Sequence, residues 1–162
     1  MNSFARIDEH NTIILVRDLP GPIERVWAFL TDPALFSRWF SEGAIAHHVG
    51  GEVHFEMGAD GRVTAYEAPH VLEYTWNERD HSRGAILDTV VRWELASVDN
   101  RVRLTLTHKR LSKLEAIHHS AGWHTFVDRL CAFAEGCEPP EIVERFARLQ
   151  SEYGKHFNVT LA

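Results

Sequence analysis

No stretch of about 18 consecutive apolar residues occurs in the chain, and its opening, MNSFARIDEH, is polar. Neither a membrane-spanning helix nor a secretory signal is expected, and the cytoplasm is the expected location. Cysteine is scarce: Cys131 and Cys137 stand six positions apart. That spacing fits neither a CxxC redox pair nor a zinc pattern, which leaves two reduced thiols, Cys131 partly packed. A basic patch is also missing. Lys and Arg number 17 against 23 Asp and Glu, for a net charge of −6, so nucleic acid is not expected as the main partner. Phosphate loops, dinucleotide fingerprints, nucleophile elbows and a Ser-His-Asp order are absent. Eleven histidines invite a metal, but their spacing is poor. His118 and His119 lie about 100° apart on a helix. His124 misses the i, i+4 partner, and His47 and His48 alternate across a strand. No metal and no cofactor are expected.

What is present is a normal globular composition, 44% hydrophobic over 162 residues. One domain of this size buries roughly two thirds of its unfolded surface and needs no staple. TIILVRDL, residues 12–19, is β-branched and reads as a strand. Two short helices follow it. The first carries Ile23, Val26, Trp27 and Leu30 on one face; the second starts at Asp32-Pro33 and carries Leu35, Phe36, Trp39 and Phe40. A series of strands comes next. Residues 44–49 end at the hairpin signal Gly50-Gly51, EVHFEM alternates with Val53, Phe55 and Met57 on one face, and Asp60-Gly61 reads as the next turn. RVTAYEA follows, with Val63, Ala65 and Glu67 sharing a face, which leaves Glu67 ambiguous. HVLEYTW, AILDTVVRWELAS and RVRLTLTH complete the series, the first two separated by a loop at residues 77–84. Short connections imply an antiparallel meander.

The one element large enough to cover such a sheet is the long helix in LSKLEAIHHSAGWHTFVDRLCAFAEG, residues 111–136. Ser112 and Glu115 form a capping-box pattern, and Gly136 suits a left-handed C-terminal stop. Trp123, Phe126, Val127, Leu130, Phe133 and Ala134 make a core face. Ala116, His119 and Ser120, earlier on the same face, are small or polar and suit a cavity mouth. Leu114, Ile117 and Ala121 point nearly opposite and need cover from a loop or from a further helix, unless Gly122 kinks the long one. That further helix is expected because Ile142, Phe146, Leu149 and Tyr153 fall on one face after Pro139-Pro140. The fold class is therefore α+β: a curved antiparallel sheet of about six to seven strands wrapped around a long C-terminal helix, with two short helices after the first strand and an extra C-terminal helix. A domain over 1–138 and an extension over 139–162, packed on that domain or on a partner chain, are expected.

These segments resemble the START-like, helix-grip (SRPBCC) superfamily, and within it the family of the heat-shock-protein-90 ATPase activator's C-terminal domain. LPGPIERVWAFLTDPALFSRWF, GGEVHFEM, VLEYTW, RLTLTHKRL and GWHTFVDRLCAFAEG carry the likeness, in the family's order, while residues 139–162 lie outside it. The resemblance implies a cavity between sheet and long helix. Parity sends Phe55, Tyr74, Trp76, Trp93, Trp123 and Phe126 toward that interior, where they would form either a large core or the walls of a cavity; the resemblance favours walls. His108 and His119 would orient a polar end. Three functions follow. The first is binding of a small apolar or amphipathic molecule. The second is a cyclase- or hydrolase-type reaction, with His108 and Tyr74 as acid–base candidates. The third is interaction with a chaperone, as in the protein that gives the family its name. A homodimer through the C-terminal helix is a further expectation.

Overall fold

The computed structural model describes residues 3–78 and 84–161. The chain runs β1 (Arg6–Ile7), β2 (Ile13–Pro20), α1 (Ile23–Thr31), α2 (Pro33–Trp39), β3 (Gly43–Ile45), β4 (Glu52–Phe55), β5 (Ala59–Glu67) and β6 (Val71–Glu78). It continues with β7 (Ile86–Val98), β8 (Arg101–Lys109), α3 (Lys113–Glu135) and α4 (Ile142–Phe157). Among the described residues the eight strands form one antiparallel sheet in the order β1-β2-β8-β7-β6-β5-β4-β3. From β3 to β8 it is a meander. The first long strand pairs with the last, Leu15 opposite Leu106 and Leu19 opposite Val102. The expected six to seven strands thus become eight. The addition is β1, two residues long, too short to show any alternation.

Alternation fixes which face is buried. Leu72, Tyr74 and Trp76 of β6, Val91, Trp93 and Leu95 of β7, and Leu104, Leu106 and His108 of β8 all point inward. Each fully buried large apolar side chain contributes about 1.5–3 kcal/mol, so this face dominates the fold's stability. Two bulges bend the sheet, between Val63 and Ala65 and between Trp76 and Glu78. The first reverses the parity of β5. Tyr66 then pairs with inward-facing Leu72 and meets Trp27 edge-on at 5.4 Å. Ala65 no longer shares Val63's face, and Glu67 is exposed.

The expected turn at Asp60-Gly61 is incorrect. β4 ends at Phe55, the chain turns through residues 56–58, and both residues lie inside β5. Gly61 marks a close approach instead, because a Cβ there would sit 1.8 Å from Thr75 O. Met57 consequently leaves the alternation and is 49% exposed. Asn77 and Glu78, expected in a loop, extend β6; residues 79–83 of that loop lie outside the described residues.

The long helix has both expected ends: a complete capping box at Ser112 and Glu115, and Gly136 at φ 72°. It runs unbroken across Gly122. Ala116 and Ser120 are fully buried, the Ser120 hydroxyl donating to Ala116 O at 2.7 Å, so neither lies at a cavity mouth. Ile117 and Ala121 are also buried, and α4 packs on α3, whereas Leu114 stays exposed. No helix of the described residues is long and apolar enough to cross a membrane.

α4 is held by a buried polar cluster. Arg145 Nε donates to Asp128 Oδ2 at 3.0 Å, and Arg17 Nη2 lies 4.0 Å from Asp128 Oδ1. The Tyr153 hydroxyl accepts from Ala5 N at 2.7 Å and lies 3.0 Å from His124 Nδ1. The hydroxyl's own proton has His124 Nδ1 as its acceptor when the imidazole carries its proton on Nε2. The neutral imidazole, protonated on Nε2, suits the Asp128 oxygen 3.6 Å away. Burial drives the His124 pKa down to about 4 and the Tyr153 phenol up to about 12. Asp128→Ala strands Arg17 and Arg145 beside one another. We expect it to cost about 3 kcal/mol in urea unfolding; a loss below about 1 kcal/mol would show that apolar contact alone seats α4.

Candidate functional site

The aromatic residues of the inner face converge on Phe40, which α2 delivers just beyond its last turn. Trp39 pins that turn by donating from Nε1 to Phe29 O at 2.9 Å. The Phe40 ring lies nearly parallel to Trp123, 5.6 Å away at 22°, and meets Phe126 and Phe55 edge-on at 4.8 and 5.0 Å. Trp76 and Trp93 meet Trp123 at 5.3 and 5.6 Å. Edge-to-face contacts of this kind add to the burial of each ring.

Beside this cluster an open cavity of about 370 Å³ lies between the sheet, α3 and the start of α4. Phe40, Trp76, Trp123 and Phe126 form its inner wall, and Ile142 and Phe146 of α4 form the outer one. Met57 and Gly58 of the β4–β5 turn and Ala59 at the start of β5 border it, and Gly122 lines it from α3. The polar groups lining it are Glu78, His118 and His119. Trp76 Nε1 donates to Glu78 Oε1 at 2.7 Å. His119 Nε2 lies 3.1 Å from the same oxygen, and its Nδ1 lies 3.0 Å from Glu115 O. The walls are thus apolar and aromatic, and the carboxylate is held in place by two neighbours.

Of the eight residues singled out in the sequence, Trp76, His119, Trp123 and Phe126 line this cavity. Phe55, Tyr74, Trp93 and His108 do not reach it. They form the packed layer behind, each 2% exposed or less. His108 is committed to a chain of hydrogen bonds. Trp123 Nε1 can only donate, so His108 Nδ1 accepts, at 3.0 Å. His108 Nε2 therefore carries the proton and gives it to Thr89 Oγ1 at 2.8 Å, and that hydroxyl donates to Trp76 O at 2.7 Å. Burial, reinforced by nearby His119, holds the His108 pKa well below its usual value. Tyr74 accepts from Trp93 Nε1 at 3.0 Å, and burial pushes its phenol up.

Phe40, Glu78, Gly122, Ile142 and Phe146 were not recognised as site residues in the sequence. The periodic face Ile142-Phe146 was visible there; what it would cover was not. Among the described residues no group of three His, Cys, Asp or Glu is placed to hold a metal ion.

Set beside known proteins, residues 20–135 match the profile of the family described as Activator of Hsp90 ATPase homolog 1-like protein. No curated protein matches the sequence. A Bordetella parapertussis protein solved in solution is 28% identical, with 96% of this chain and 90% of that one covered and a TM-score of 0.79. The crystal structure of CalU16 from Micromonospora echinospora is 23% identical, with 94% and 93% covered and a TM-score of 0.74. The solution structure of the Aha1 dimer from Colwellia psychrerythraea is 19% identical, with 76% and 96% covered and a TM-score of 0.63. The last two likenesses are of fold.

Replacing His108 leaves the Trp123 indole N–H without its acceptor in the core and takes from the Thr89 hydroxyl its donor, while that hydroxyl keeps its bond to Trp76 O. His108→Ala is expected to lower stability by about 3 kcal/mol in urea unfolding, and a loss under 1 kcal/mol would contradict the chain's importance. The pH dependence follows from its sign. The folded-state pKa values of His108 and His124 are depressed, that of His124 to about 4, so below about pH 6.5 the unfolded chain binds protons that the folded chain does not. The stability these two residues contribute is present above pH 6.5 and declines on acidification. Denaturant midpoints taken at half-unit steps from pH 7 to 4.5 should fall; an unchanged midpoint would show that neither imidazole is held neutral.

Proposed function

We propose that this chain, which belongs to the Activator of Hsp90 ATPase homolog 1-like family, binds a small apolar or amphipathic molecule between its sheet and its long helix. One observation carries this reading: an open cavity of about 370 Å³ in an otherwise filled aromatic core, its polar groups confined to Glu78, His118 and His119. Cavities of that size and character are typical small-molecule sites. In this reading Trp76, Trp123 and Phe126 supply buried contact, and His119 with Glu78 orients the ligand's polar end. Phe55, Tyr74, Trp93 and His108 keep the walls rigid from behind. Residues 139–162 act as an extension of the 1–138 domain that adds the outer wall.

The enzymatic alternative loses its named acid and base. His108 and Tyr74 are not among the residues that line the cavity; both ring nitrogens of His108 engage Trp123 and Thr89, and the Tyr74 hydroxyl accepts from Trp93. An interaction role keeps one supporting observation. Val143, beside Ile142 on α4, is 72% exposed, and Val143→Ser would test whether a second copy or a chaperone uses that position.

Native mass spectrometry of the purified protein reports ligand and oligomer together. Retained extra mass, or a rise in Tm with a panel of apolar ligands, is expected. A ligand at a hundred times its Kd stabilises by about 2.7 kcal/mol. Phe126→Ala should weaken binding by about tenfold or more, from the area it removes. An empty protein that no apolar ligand stabilises would overturn the reading, and an empty dimer would favour the interaction role.

A further inference from the structure

α4 is docked unevenly. Its second half is well seated: Leu149 and Tyr153 are fully buried, and Gly154 is buried beside them. The amino-terminal segment clasps it there, with Ala5 N donating to the Tyr153 hydroxyl and the Phe4 ring meeting Tyr153 edge-on at 4.8 Å. The first two turns are different. Ile142, Val143, Glu144, Ala147 and Arg148 are exposed, and Arg145 and Phe146 are half-buried. Yet these are the turns that bring Ile142 and Phe146 to the cavity as its outer wall.

What ties these two turns to α3 is largely polar. Arg145 Nε donates to Asp128 Oδ2 at 3.0 Å, and the Phe146 ring adds an edge-on contact with His118 at 5.6 Å. Asp128 also has Arg17 Nη2 4.0 Å from its other oxygen, so its charge keeps a partner when Arg145 lets go. Burial of large apolar side chains holds the second half of α4; an ion pair with one half-buried partner holds less. The weaker part of the α3–α4 contact is therefore the part that faces the cavity. Two helical turns that lose their packing are marginal in water, so leaving α3 and fraying are one event. The inner wall has no such freedom, because the chain of hydrogen bonds from Trp123 to Trp76 fixes it.

Resting on the ligand-binding reading above, we infer that residues 142–148 are a movable outer wall: the first two turns of α4 lift from α3 to admit a ligand and close on it again, pivoting on the buried half of the helix, with the Arg145–Asp128 pair as the latch. The cavity then has one fixed side and one that yields.

The test uses the full chain. Without ligand, the backbone amides of residues 146–148 should exchange with deuterium at least about tenfold faster than those of residues 152–154. Arg145→Gln removes the latch and leaves Asp128 its Arg17 partner. It should speed exchange at 146–148 by about a further tenfold and leave 152–154 within about twofold, and Arg145→Lys should give a smaller effect. The same opening should govern entry of an apolar probe, N-phenyl-1-naphthylamine, followed by stopped-flow fluorescence. Arg145→Gln should raise its association and dissociation rates together by about tenfold with Kd unchanged within about threefold, and bound probe should slow exchange at 146–148. Equal acceleration of both halves would show that α4 moves as one body, and no acceleration would show that Arg145 is no latch; either result overturns the inference. Faster exchange with unaltered binding rates would show a wall that frays without admitting anything, so the inference fails while ligand binding stands. A probe that does not bind, with exchange as expected, counts against the ligand reading alone and upholds the moving wall.

Discussion

Everything in this fold leans on one buried donor, the indole N–H of Trp123. The ring must be inside, because it is the largest apolar surface on the long helix, yet its N–H cannot be left without an acceptor there. His108 answers that need from β8, Thr89 answers His108, and the Trp76 carbonyl answers Thr89. One chain of hydrogen bonds thus crosses from α3 through β8 and β7 to β6. It fixes the long helix in rotation and in height over the sheet. The cavity exists because that position is fixed: Trp123 and Trp76, the two ends of the chain, are also two of its walls.

A histidine whose ring nitrogens are both engaged inside the core serves architecture before chemistry. This explains why the residue that looked most chemical in the sequence is remote from the cavity, while the polar groups that do line it come from less conspicuous places. Glu78 sits just past a bulge at the end of β6, and His119 sits one turn before Trp123.

Much of the architecture was legible because it depends on periodicity. The strand faces, the capping box at Ser112, the stop at Gly136 and the amphipathic helix after Pro140 all follow from spacing and local chemistry. Errors arose where a single residue interrupts a period. The bulge after Val63 reverses the parity of the rest of β5, and Gly61 looked like a turn because nothing in the sequence shows the Thr75 carbonyl pressed against it. The cavity residues divide in the same way. Trp76, Trp123 and Phe126 were found from their faces. Phe40 lies just beyond a helix end, and Phe146 lines the cavity only because α4 folds back, held by partners such as Asp128 and His124 that lie far away in sequence.

The bond between Ala5 and Tyr153 joins positions 148 apart in the chain. A ribosome delivers Ala5 well before Tyr153. The sheet and the long helix precede α4 in the chain, so they can meet as an open trough that gains its outer wall once α4 has followed.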